Sequence, residues 1–365
     1  MQPIAVGVYG ASGYTGRLIC AELVRRKVPF LVAGRNRDKL LALVASLGVS
    51  AEIEVAALDD PAGLERIASR VKVVLDCAGP FGRWGRVVQD AALQAGRHFL
   101  DITGEHPYMR ETAARDGEAR ARGIVLVNAV GFDVVPTDAA AVLAADAAGA
   151  PVSRVRIGFA NLGAKPSQGT TRSALDAAHL GGLAFVNGEF LVEPVGAERW
   201  DVPFPSPVGT RHGVSIPWGD LATAPRSTGA REVRTFMAVP RSTARLVPAL
   251  RPLGALLKLA PLKALAERWV SGLPEGPSDE ERARSSFAVY AEATGANGTH
   301  AAWVTGPNGY DFTAASAVLC ARLAAAPGFV KKGALTPSQA FGARALLDGL
   351  ADAGVRYGSS TTVSR

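Results

Sequence analysis

The first third of the chain alternates short apolar runs with segments of helical periodicity. Residues 4–9 (IAVGVY) and 30–34 (FLVAG) have the length and the continuous apolar character of buried strands. Between them, apolar residues recur at helical spacing from Arg17 onward, in RLICAELVRRK. The same alternation continues through AEIEVAAL, DDPAGLERIASR, VKVVLDCAG, WGRVVQDAALQAG, HFLDITGE and GIVLVNAVG. This order predicts an α/β fold with a Rossmann-like, doubly wound parallel sheet, which we assign to a first domain at residues 1–135.

The second part of the chain has a different pattern, in which strand-like runs follow one another with few helical segments between them. The clearest of these runs are VRIGFANL, GEFLVEP, GVSIPWG and REVRTFMAVP. The segment SSFAVYAEATGANGTHAAWVTGP predicts a hairpin that turns at Asn297 and Gly298. We therefore predict a second α+β domain, built on a mostly antiparallel sheet, at residues 136–305. Residues 306–350 return to helical periodicity.

Three glycines stand between the first predicted strand and the first predicted helix, in the sequence GASGYTG. Gly10 suits a tight turn, Gly13 lets backbone N–H groups approach a pyrophosphate, and Gly16 lets the helix pack closely on the strand. The spacing is GxxGxxG rather than the GxGxxG dinucleotide fingerprint, so an ordinary glycine-rich turn is the alternative. The candidate cofactor-binding residues of this turn are Gly10, Ser12, Gly13, Tyr14, Thr15 and Gly16.

The segment after the second predicted strand distinguishes between the two nicotinamide cofactors. NAD enzymes place an acidic residue there to bind the ribose 2′-hydroxyl, whereas this chain has GRNRDK, with Arg35 and Arg37. Because a guanidinium pairs with a 2′-phosphate, we predict NADP as the cofactor; two solvated surface arginines are the alternative. Asp59 or Asp60, after the third predicted strand, either contacts the adenine or caps a helix. Small residues at the end of the fourth predicted strand complete the predicted cofactor site, namely Cys77, Ala78, Gly79 and Pro80.

Composition narrows the class of protein. The chain has 365 residues, of which 48% are hydrophobic and 20% are charged, which is typical of a globular protein with room for two domains. No apolar run reaches the roughly 18 to 20 residues that a membrane span needs. The first residues, MQPIAVGVYG, have no basic segment ahead of the apolar one, so we expect no signal peptide and a cytoplasmic protein.

Charge and metal-ligating residues exclude two further classes. The formal net charge is +7, and the basic residues are scattered along the chain. This favours an anionic cofactor or substrate over nucleic acid, which requires clustered basic residues with interleaved aromatic ones. The three cysteines are far apart and the five histidines form no HxH or HxxxH pair, so we assign neither a disulfide framework nor a metal site.

Catalytic candidates follow from the position of the cleft, which in such a sheet lies beyond the carboxyl ends of the strands. Hydride transfer needs a placed cofactor and a group that stabilises or protonates developing charge. We predict that Tyr108 protonates an enolate carbon, and that Glu105 or Asp133 holds a ribose or substrate hydroxyl. A loop followed by a capped helix is the alternative interpretation of DITGEHPYMRE. The residues selected by position are Asp101, Thr103, Glu105, Tyr108, Phe132 and Asp133.

Two later segments add candidates. In SQGTTRSALDAA, small residues open a helix that carries Arg172, which predicts a site for an oxygen of a thioester, carboxylate or phosphate; a plain helix N-cap is the alternative. Residues 245–273 are apolar and basic and are interrupted by prolines. They form either a buried helical pair or an amphipathic lid or membrane-facing surface that admits an acyl chain. The leucines that would shelter such a chain are Leu246, Leu250, Leu253, Leu256 and Leu257.

Several motifs in order resemble a known family. GASGYTG, AGRNRDKL, CAGPFGRWG, HFLDITGE and GFDVVPTD together are similar to the saccharopine dehydrogenase-like oxidoreductases, and within them to the bacterial trans-acting enoyl reductases. The resemblance is strong over residues 5–140 and returns near the C-terminus at GALTPSQAFG. It implies an NADP-binding domain, a following substrate domain, C-terminal helices at 306–365 that pack back on the first domain, and a homodimer formed through the second.

The resemblance leaves three functions open. The first is NADPH-dependent reduction of an activated C=C bond in an acyl or polyketide-like lipid, either as a small molecule or linked to an acyl carrier. The second is oxidation or reduction of an amino-acid C–N bond, for which Arg172 is the one obvious carboxylate-binding candidate. The third is a non-catalytic NADP sensor, which does not require so large a second domain.

Overall fold

The chain divides into two compact units in the computed structural model. The first unit consists of Met1–Val135 and Tyr310–Gly342, and the second of Pro136–Gly309 and Ala343–Arg365. Among the described residues, no helix combines the length and the apolar character needed to cross a membrane. The residues that the structure describes are 3–177, 181–247 and 260–361.

Strands and helices alternate through the first 148 residues. In chain order they are β1 (Ile4–Tyr9), α1 (Tyr14–Arg25), β2 (Phe30–Gly34), α2 (Arg37–Leu47), β3 (Glu52–Val55), α3 (Pro61–Ser69), β4 (Val71–Asp76), α4 (Phe81–Gln94), β5 (His98–Asp101), α5 (His106–Ala114), α6 (Asp116–Arg122), β6 (Val125–Val127) and α7 (Val135–Ala148).

Strands dominate the following part of the chain, and helices predominate from residue 309 onward. The elements are β7 (Arg154–Leu162), α8 (Gln168–Ala177), β8 (Gly182–Val186), β9 (Glu189–Glu193), β10 (Arg199–Pro203), β11 (Thr210–Ser215), α9 (Asp220–Thr228), β12 (Glu232–Ala238), α10 (Ala260–Ser271), α11 (Asp279–Ala283), β13 (Ser286–Gly295), β14 (Gly298–Gly306), α12 (Gly309–Ala325), β15 (Gly333–Ala334), α13 (Pro337–Phe341), α14 (Ala343–Gly349) and β16 (Arg356–Thr361).

The first unit is built on a parallel sheet whose described strands have the order β15-β6-β5-β4-β1-β2-β3. Apart from β15, this is the 3-2-1-4-5-6 order of doubly wound dinucleotide-binding folds. The order reverses between β1 and β4, so the residues that follow these two strands meet at one edge of the sheet. The Rossmann-like fold class is confirmed.

Burial on both faces accounts for the nearly continuous apolar strands of this sheet. Leu31, Val32 and Ala33 of β2 are completely buried although they point alternately to opposite faces. The covering helices bury one face only; α1, for example, buries Ile19 and Leu23. This two-sided core holds the carboxyl edge of the sheet, where the candidate site lies, in a fixed geometry.

The second unit is built on a mostly antiparallel sheet, as predicted. Its described strands have the order β10-β11-β12-β7-β13-β14-β16, and β8 joins β12 to β9 at the side. The pairing of β12 with β7 is parallel, and the other pairings are antiparallel. One of its cores includes Val202, Phe204 and Tyr290, which are all buried.

The hairpin of β13 and β14 turns one residue earlier than predicted. Gly295 pairs with Gly298, so the loop consists of residues 296–297. The N–H of Asn297 donates to the carbonyl oxygen of Ala148 at the end of α7, at 2.7 Å. Asn297 therefore serves a helix end inside the second unit, which a local turn pattern does not reveal.

The expectation that residues 306–365 all pack with the first domain holds only in part. Residues 310–342 belong to the first unit, in which β15 pairs with β6, but the chain from Ala343 onward belongs to the second. The reason is the pairing of β16 with β14, along which Arg356 lies opposite Thr305. A long strand such as β14 exposes a row of unpaired backbone groups unless another strand covers it.

The apolar segment at 245–273 lies partly outside the described residues. Leu250, Leu253, Leu256 and Leu257 lie outside them. Leu246 belongs to a helical stretch at 241–247 and is 58% exposed. Residues 260–271 form α10.

Candidate functional site

The glycine turn after β1 is shaped by two close backbone approaches. Gly10 has a φ of +75°, and a Cβ there would lie 2.9 Å from the backbone nitrogen of Ala78. A Cβ on Gly16 would lie 2.8 Å from the carbonyl oxygen of Ala11, so α1 packs directly against the turn. Gly13 is exposed, and a Cβ there would meet only the Gly10 carbonyl oxygen, at 3.3 Å. The turn is therefore closed on its inner side and open above Gly13.

The start of α1 provides the chemistry for binding an anion. The helix begins at Tyr14, its N-cap residue is Gly13, which has no side chain, and its first turn contains no acidic residue. The N–H groups of a first helical turn have no acceptor within the helix, and the helix dipole adds positive potential there. Ser12 and Thr15 are partly exposed beside this end. The ring of Tyr14 packs edge-on against Tyr310, with centroids 5.2 Å apart.

The two predicted 2′-phosphate readers follow β2 directly. Arg35 and Arg37 are both exposed, and Arg37 is the first residue of α2. Asn36, between them, caps this helix by accepting the N–H of Lys39 at 2.9 Å. Both arginines are thus presented to solvent beside the carboxyl edge of the sheet, at the position where such folds distinguish the two cofactors.

The residue that ends β1 links this edge to the segment after β3. The hydroxyl of the buried Tyr9 donates to the carbonyl oxygen of Ala56 at 3.1 Å. Burial raises its pKa to about 12, the charge of Asp76 adds to the rise, and that of Arg35 opposes it. Asp60 accepts the N–H of Gly63 at 2.9 Å and is the N-cap of α3, which is one of the two alternatives for the Asp59–Asp60 pair.

The small residues after β4 lie against the glycine turn. The N–H of Cys77 donates to the carbonyl oxygen of Tyr9 at 2.9 Å, and Ala78 is the residue that a side chain at Gly10 would strike. Gly79 and Pro80 then lead into α4, for which Pro80 is the N-cap residue. The structure thus brings together the two sequence-distant groups that were predicted to bind the cofactor.

Two buried carboxyl groups lie side by side beneath this edge. Asp76 and Asp101 end neighbouring strands and face each other in the register of β4 and β5; both are completely buried. Oδ1 of Asp76 accepts the N–H of Ala78 at 2.8 Å, whereas its Oδ2 has no hydrogen-bond partner among the described residues. Burial raises the pKa of Asp76 well above its usual range, and the charge of Asp101 adds to this rise.

Asp101 organises the loops on either side of it. Its carboxylate accepts the N–H groups of Thr103 and Ala129, at 3.1 and 3.0 Å, and the Asn128 side chain at 2.6 Å. Burial raises its pKa to about 7, against the effect of these hydrogen bonds. Ala129 has a φ of +59°, which residues other than glycine rarely adopt. Sequence reasoning missed Asp76 and Asn128; the available signal was an acidic residue at the end of two consecutive apolar strands.

Tyr108 is an interior residue, and its predicted role as a proton donor to the substrate does not agree with this position. Its side chain is 3% exposed and stacks on Phe81, with ring centroids 6.5 Å apart. Its hydroxyl receives a hydrogen bond from Nε2 of Gln89 at 3.3 Å. Burial, with the charge of Asp101, raises the pKa of Tyr108 well above its usual range. A Cβ on Gly85 would lie 2.7 Å from the phenol ring, so the space around it is filled.

Glu105, which was predicted to hold a ribose or substrate hydroxyl, contacts the start of α4. Its carboxylate accepts the backbone N–H groups of Phe81 and Gly82, at 3.0 and 2.7 Å, and so caps the first turn of α4. Its own backbone N–H donates to Oγ1 of Thr103 at 3.0 Å. With both oxygens engaged by backbone groups, Glu105 positions the start of α4 next to the β4 edge instead of holding a hydroxyl.

Asp133 is the predicted carboxyl group whose setting suits acid–base chemistry. It is partly buried and lies against Gly104, at which a Cβ would be 2.7 Å from Oδ2. Burial raises its pKa to about 7, and the neighbouring charge of Glu105 adds to the rise. The preceding residue, Phe132, is fixed by a hydrogen bond from its N–H to Oγ1 of Thr313 at 2.9 Å. General acids and bases work best with a pKa near the working pH.

Arg172 lies in the second unit, on α8. Its Nη2 donates to Oγ of Ser271 on α10 at 3.2 Å. The hydroxyl of Ser167 accepts the N–H of Thr170 at 3.2 Å, which is the plain N-cap that was the alternative for this segment. Within the part of the chain that the structure describes, no group of three or more His, Cys, Asp or Glu residues is arranged to hold a metal ion.

Fold and glycine turn together define the first unit as a Rossmann dinucleotide-binding domain. Residues 6–127 match the model of the saccharopine dehydrogenase NADP binding domain, so the resemblance noted from the motifs of this region is confirmed. NADP as the cofactor is confirmed at the level of this domain family; the roles of single residues remain predictions.

Similarity to individual proteins falls in the same region. A saccharopine dehydrogenase-like oxidoreductase of Bos taurus is 33% identical over 155 residues, which cover 38% of this chain and 36% of that protein. A candidate trans-acting enoyl reductase of Mycobacterium tuberculosis is 35% identical over 137 residues, which cover 36% of this chain and 33% of that protein. The matches span about a third of the length of these curated relatives.

The whole chain shares its fold with a solved structure. Saccharopine dehydrogenase (L-Glu forming) of Saccharomyces cerevisiae superimposes with a TM-score of 0.66 at 17% identity, over 98% of this chain and 99% of that one. At this identity the likeness concerns the fold, including the combination of a parallel and a mostly antiparallel sheet.

Proposed function

We propose that the protein is an NADP-dependent oxidoreductase that reduces an activated C=C bond of an acyl or polyketide-like lipid, free or linked to an acyl carrier. The observation that carries the cofactor part is the open glycine turn, closed below by Ala78 and flanked by the exposed Arg35. The lipid part rests on the similarity to the mycobacterial enoyl reductase candidate, which is 35% identical over 137 residues.

The residues at this edge fit an NADP molecule. The start of α1 above Gly13 suits the pyrophosphate, with Ser12, Tyr14 and Thr15 beside it. Arg35, supported by Arg37, suits the 2′-phosphate. The small residues after β4 leave room for the nicotinamide half of the cofactor. These residues are Cys77, Ala78, Gly79 and Pro80.

Asp133 supplies the proton in this proposal. NADPH, when bound, supplies a hydride. With a pKa of about 7, a fraction of the Asp133 carboxyl groups carries a proton near neutral pH. The Asp133 carboxyl gives this proton to the carbon next to the acyl carbonyl and becomes a carboxylate, which water then reprotonates. Glu105 positions α4 and raises the Asp133 pKa through its charge.

A second candidate is a saccharopine dehydrogenase-like reaction at an amino-acid C–N bond. It is favoured by the similarity to the bovine relative, which is 33% identical over 155 residues. A non-catalytic NADP sensor is the third candidate function.

A homodimer formed through the second domain stays a prediction, which sedimentation of the protein at micromolar concentration checks.

Turnover separates these functions. The full chain is mixed with NADPH and with either α,β-unsaturated acyl thioesters or pairs of an amino acid and an oxo acid, and the loss of NADPH absorbance is followed. We expect oxidation with the enoyl thioesters only, and a lower kcat with retained NADPH affinity in Asp133→Asn. Oxidation with the amino-acid pairs alone supports the second candidate, and NADPH binding without any turnover supports the sensor.

A further inference from the structure

Helix α10 presents an apolar stripe to solvent. Leu262, Leu265 and Trp269 are 40%, 65% and 62% exposed. With about 100° per residue in an α-helix, the three side chains fall within roughly 60° of one another around the axis. Single exposed apolar residues are ordinary, whereas three large ones aligned on one helix face form a surface with a preferred orientation. We call these three residues the α10 stripe.

Contacts on the opposite face of α10 fix this orientation. Nζ of Lys263 forms an ion pair with Asp176 of α8 at 2.8 Å. Ser271 accepts a hydrogen bond from Arg172 at 3.2 Å, and Val270 is completely buried. The helix is therefore attached to the second unit by one side, and the α10 stripe is the side that remains.

The charge of the segment that contains α10 indicates which kind of surface the α10 stripe binds. Residues 245–273 contain five basic residues and one acidic residue, and since Lys263 is paired with Asp176, the formal charge that remains is +3. Arg268 is exposed and lies next to Leu265 around the helix. An apolar face with Leu and Trp, flanked by basic side chains, is typical of helices that lie in the interface of an anionic membrane. A second copy of the same basic segment is a poor partner, because two such segments repel each other.

We propose that α10 docks the protein on the surface of an anionic phospholipid membrane, with the α10 stripe entering the head-group boundary and Arg268 facing the lipid phosphates. The segment does not cross the bilayer. Basic residues near an anionic surface and buried apolar side chains contribute together, so binding requires both. This proposal is independent of which bond the protein reduces.

Vesicle sedimentation with the full chain tests the proposal. Vesicles of phosphatidylcholine alone are compared with vesicles that also contain phosphatidylglycerol. We expect binding to the anionic vesicles that weakens with added salt, and roughly tenfold or greater loss of affinity when all three stripe residues are changed to Ser. A matched control changes exposed apolar residues elsewhere to Ser, namely Leu41, Leu191 and Val192, which are 47%, 52% and 72% exposed. The control keeps the affinity of the wild type.

Two further measurements are made. Tryptophan quenching shows whether the α10 stripe itself enters the lipid, and sedimentation of the protein alone shows whether the stripe is a subunit interface. Quenching of tryptophan fluorescence by brominated lipids is expected in the wild type and is lost in Trp269→Phe, which retains an aromatic ring. The proposal is wrong if the stripe variant binds anionic vesicles like the wild type, or if no vesicle binds the wild type. It is also wrong if sedimentation shows that the stripe variant turns a dimer into a monomer, since the stripe is then a subunit interface.

Discussion

Replacement of Arg35 by Ala tests the cofactor assignment most directly. Arg35 is exposed immediately after β2, so its guanidinium is accessible to a phosphate bound at the carboxyl edge of the sheet. A hydrogen bond to a charged partner contributes about 1.5–3 kcal/mol. Because the residue is exposed, solvent screening places the expected loss at the lower end, about 1.5–2 kcal/mol. This corresponds to a roughly 10- to 30-fold loss of NADPH affinity.

Fluorescence titration with NADPH and NADH measures this loss for the wild type and the variant. NADH has no 2′-phosphate, so we expect its affinity to stay the same. Lys39→Ala is a matched control, since it removes one positive charge from an exposed position of α2, the helix that follows Arg35. If Arg35→Ala leaves the ratio of the two affinities unchanged, or if Lys39→Ala lowers it equally, then Arg35 does not read the 2′-phosphate.

Three further substitutions test other parts of the first unit. Gly16→Ala forces a Cβ against the backbone of the glycine turn and is expected to lower the free energy of unfolding by about 1–3 kcal/mol and to weaken NADPH binding. Gly117→Ala, in α6, places its added Cβ in open space and is expected to stabilise the protein by about 0.5–1 kcal/mol. Equal denaturation midpoints for Gly16→Ala and Gly117→Ala contradict this reasoning. Glu105→Gln replaces one of the two oxygens that cap α4 and is expected to cost about 1–2 kcal/mol, seen as a lower denaturation midpoint; an unchanged midpoint refutes the capping role. Burial raises the pKa of Asp76, so the folded state holds its proton to higher pH than the unfolded chain does, and the contribution of Asp76 to the free energy of unfolding falls as pH rises above about 4. The side chain in Asp76→Asn cannot ionise, so between about pH 5 and about pH 8 its denaturation midpoint is expected to fall less than that of the wild type. An equal fall in both proteins contradicts a raised pKa of Asp76.

Much of the fold was readable from the order of residues alone. Alternating apolar runs and helical segments predicted the parallel sheet, since strands covered on both faces must be apolar throughout. The three glycines and the arginine after the second strand predicted the kind of cofactor, because these requirements are local to one turn and one strand end. The second sheet was predicted in type, although its hairpin turn was misplaced by one residue.

Roles that depend on residues distant in sequence were decided only by the tertiary structure. Glu105 was a plausible catalytic group until it proved to cap α4, more than twenty residues earlier in the chain. Tyr108 was assigned to the cleft, but packing against Phe81 places it in the interior. Asp76 became notable only through the register that sets it beside Asp101. Each of these outcomes follows from a pairing of strands or a packing of helices. Such contacts form between residues far apart in the chain, so a local pattern contains no record of them.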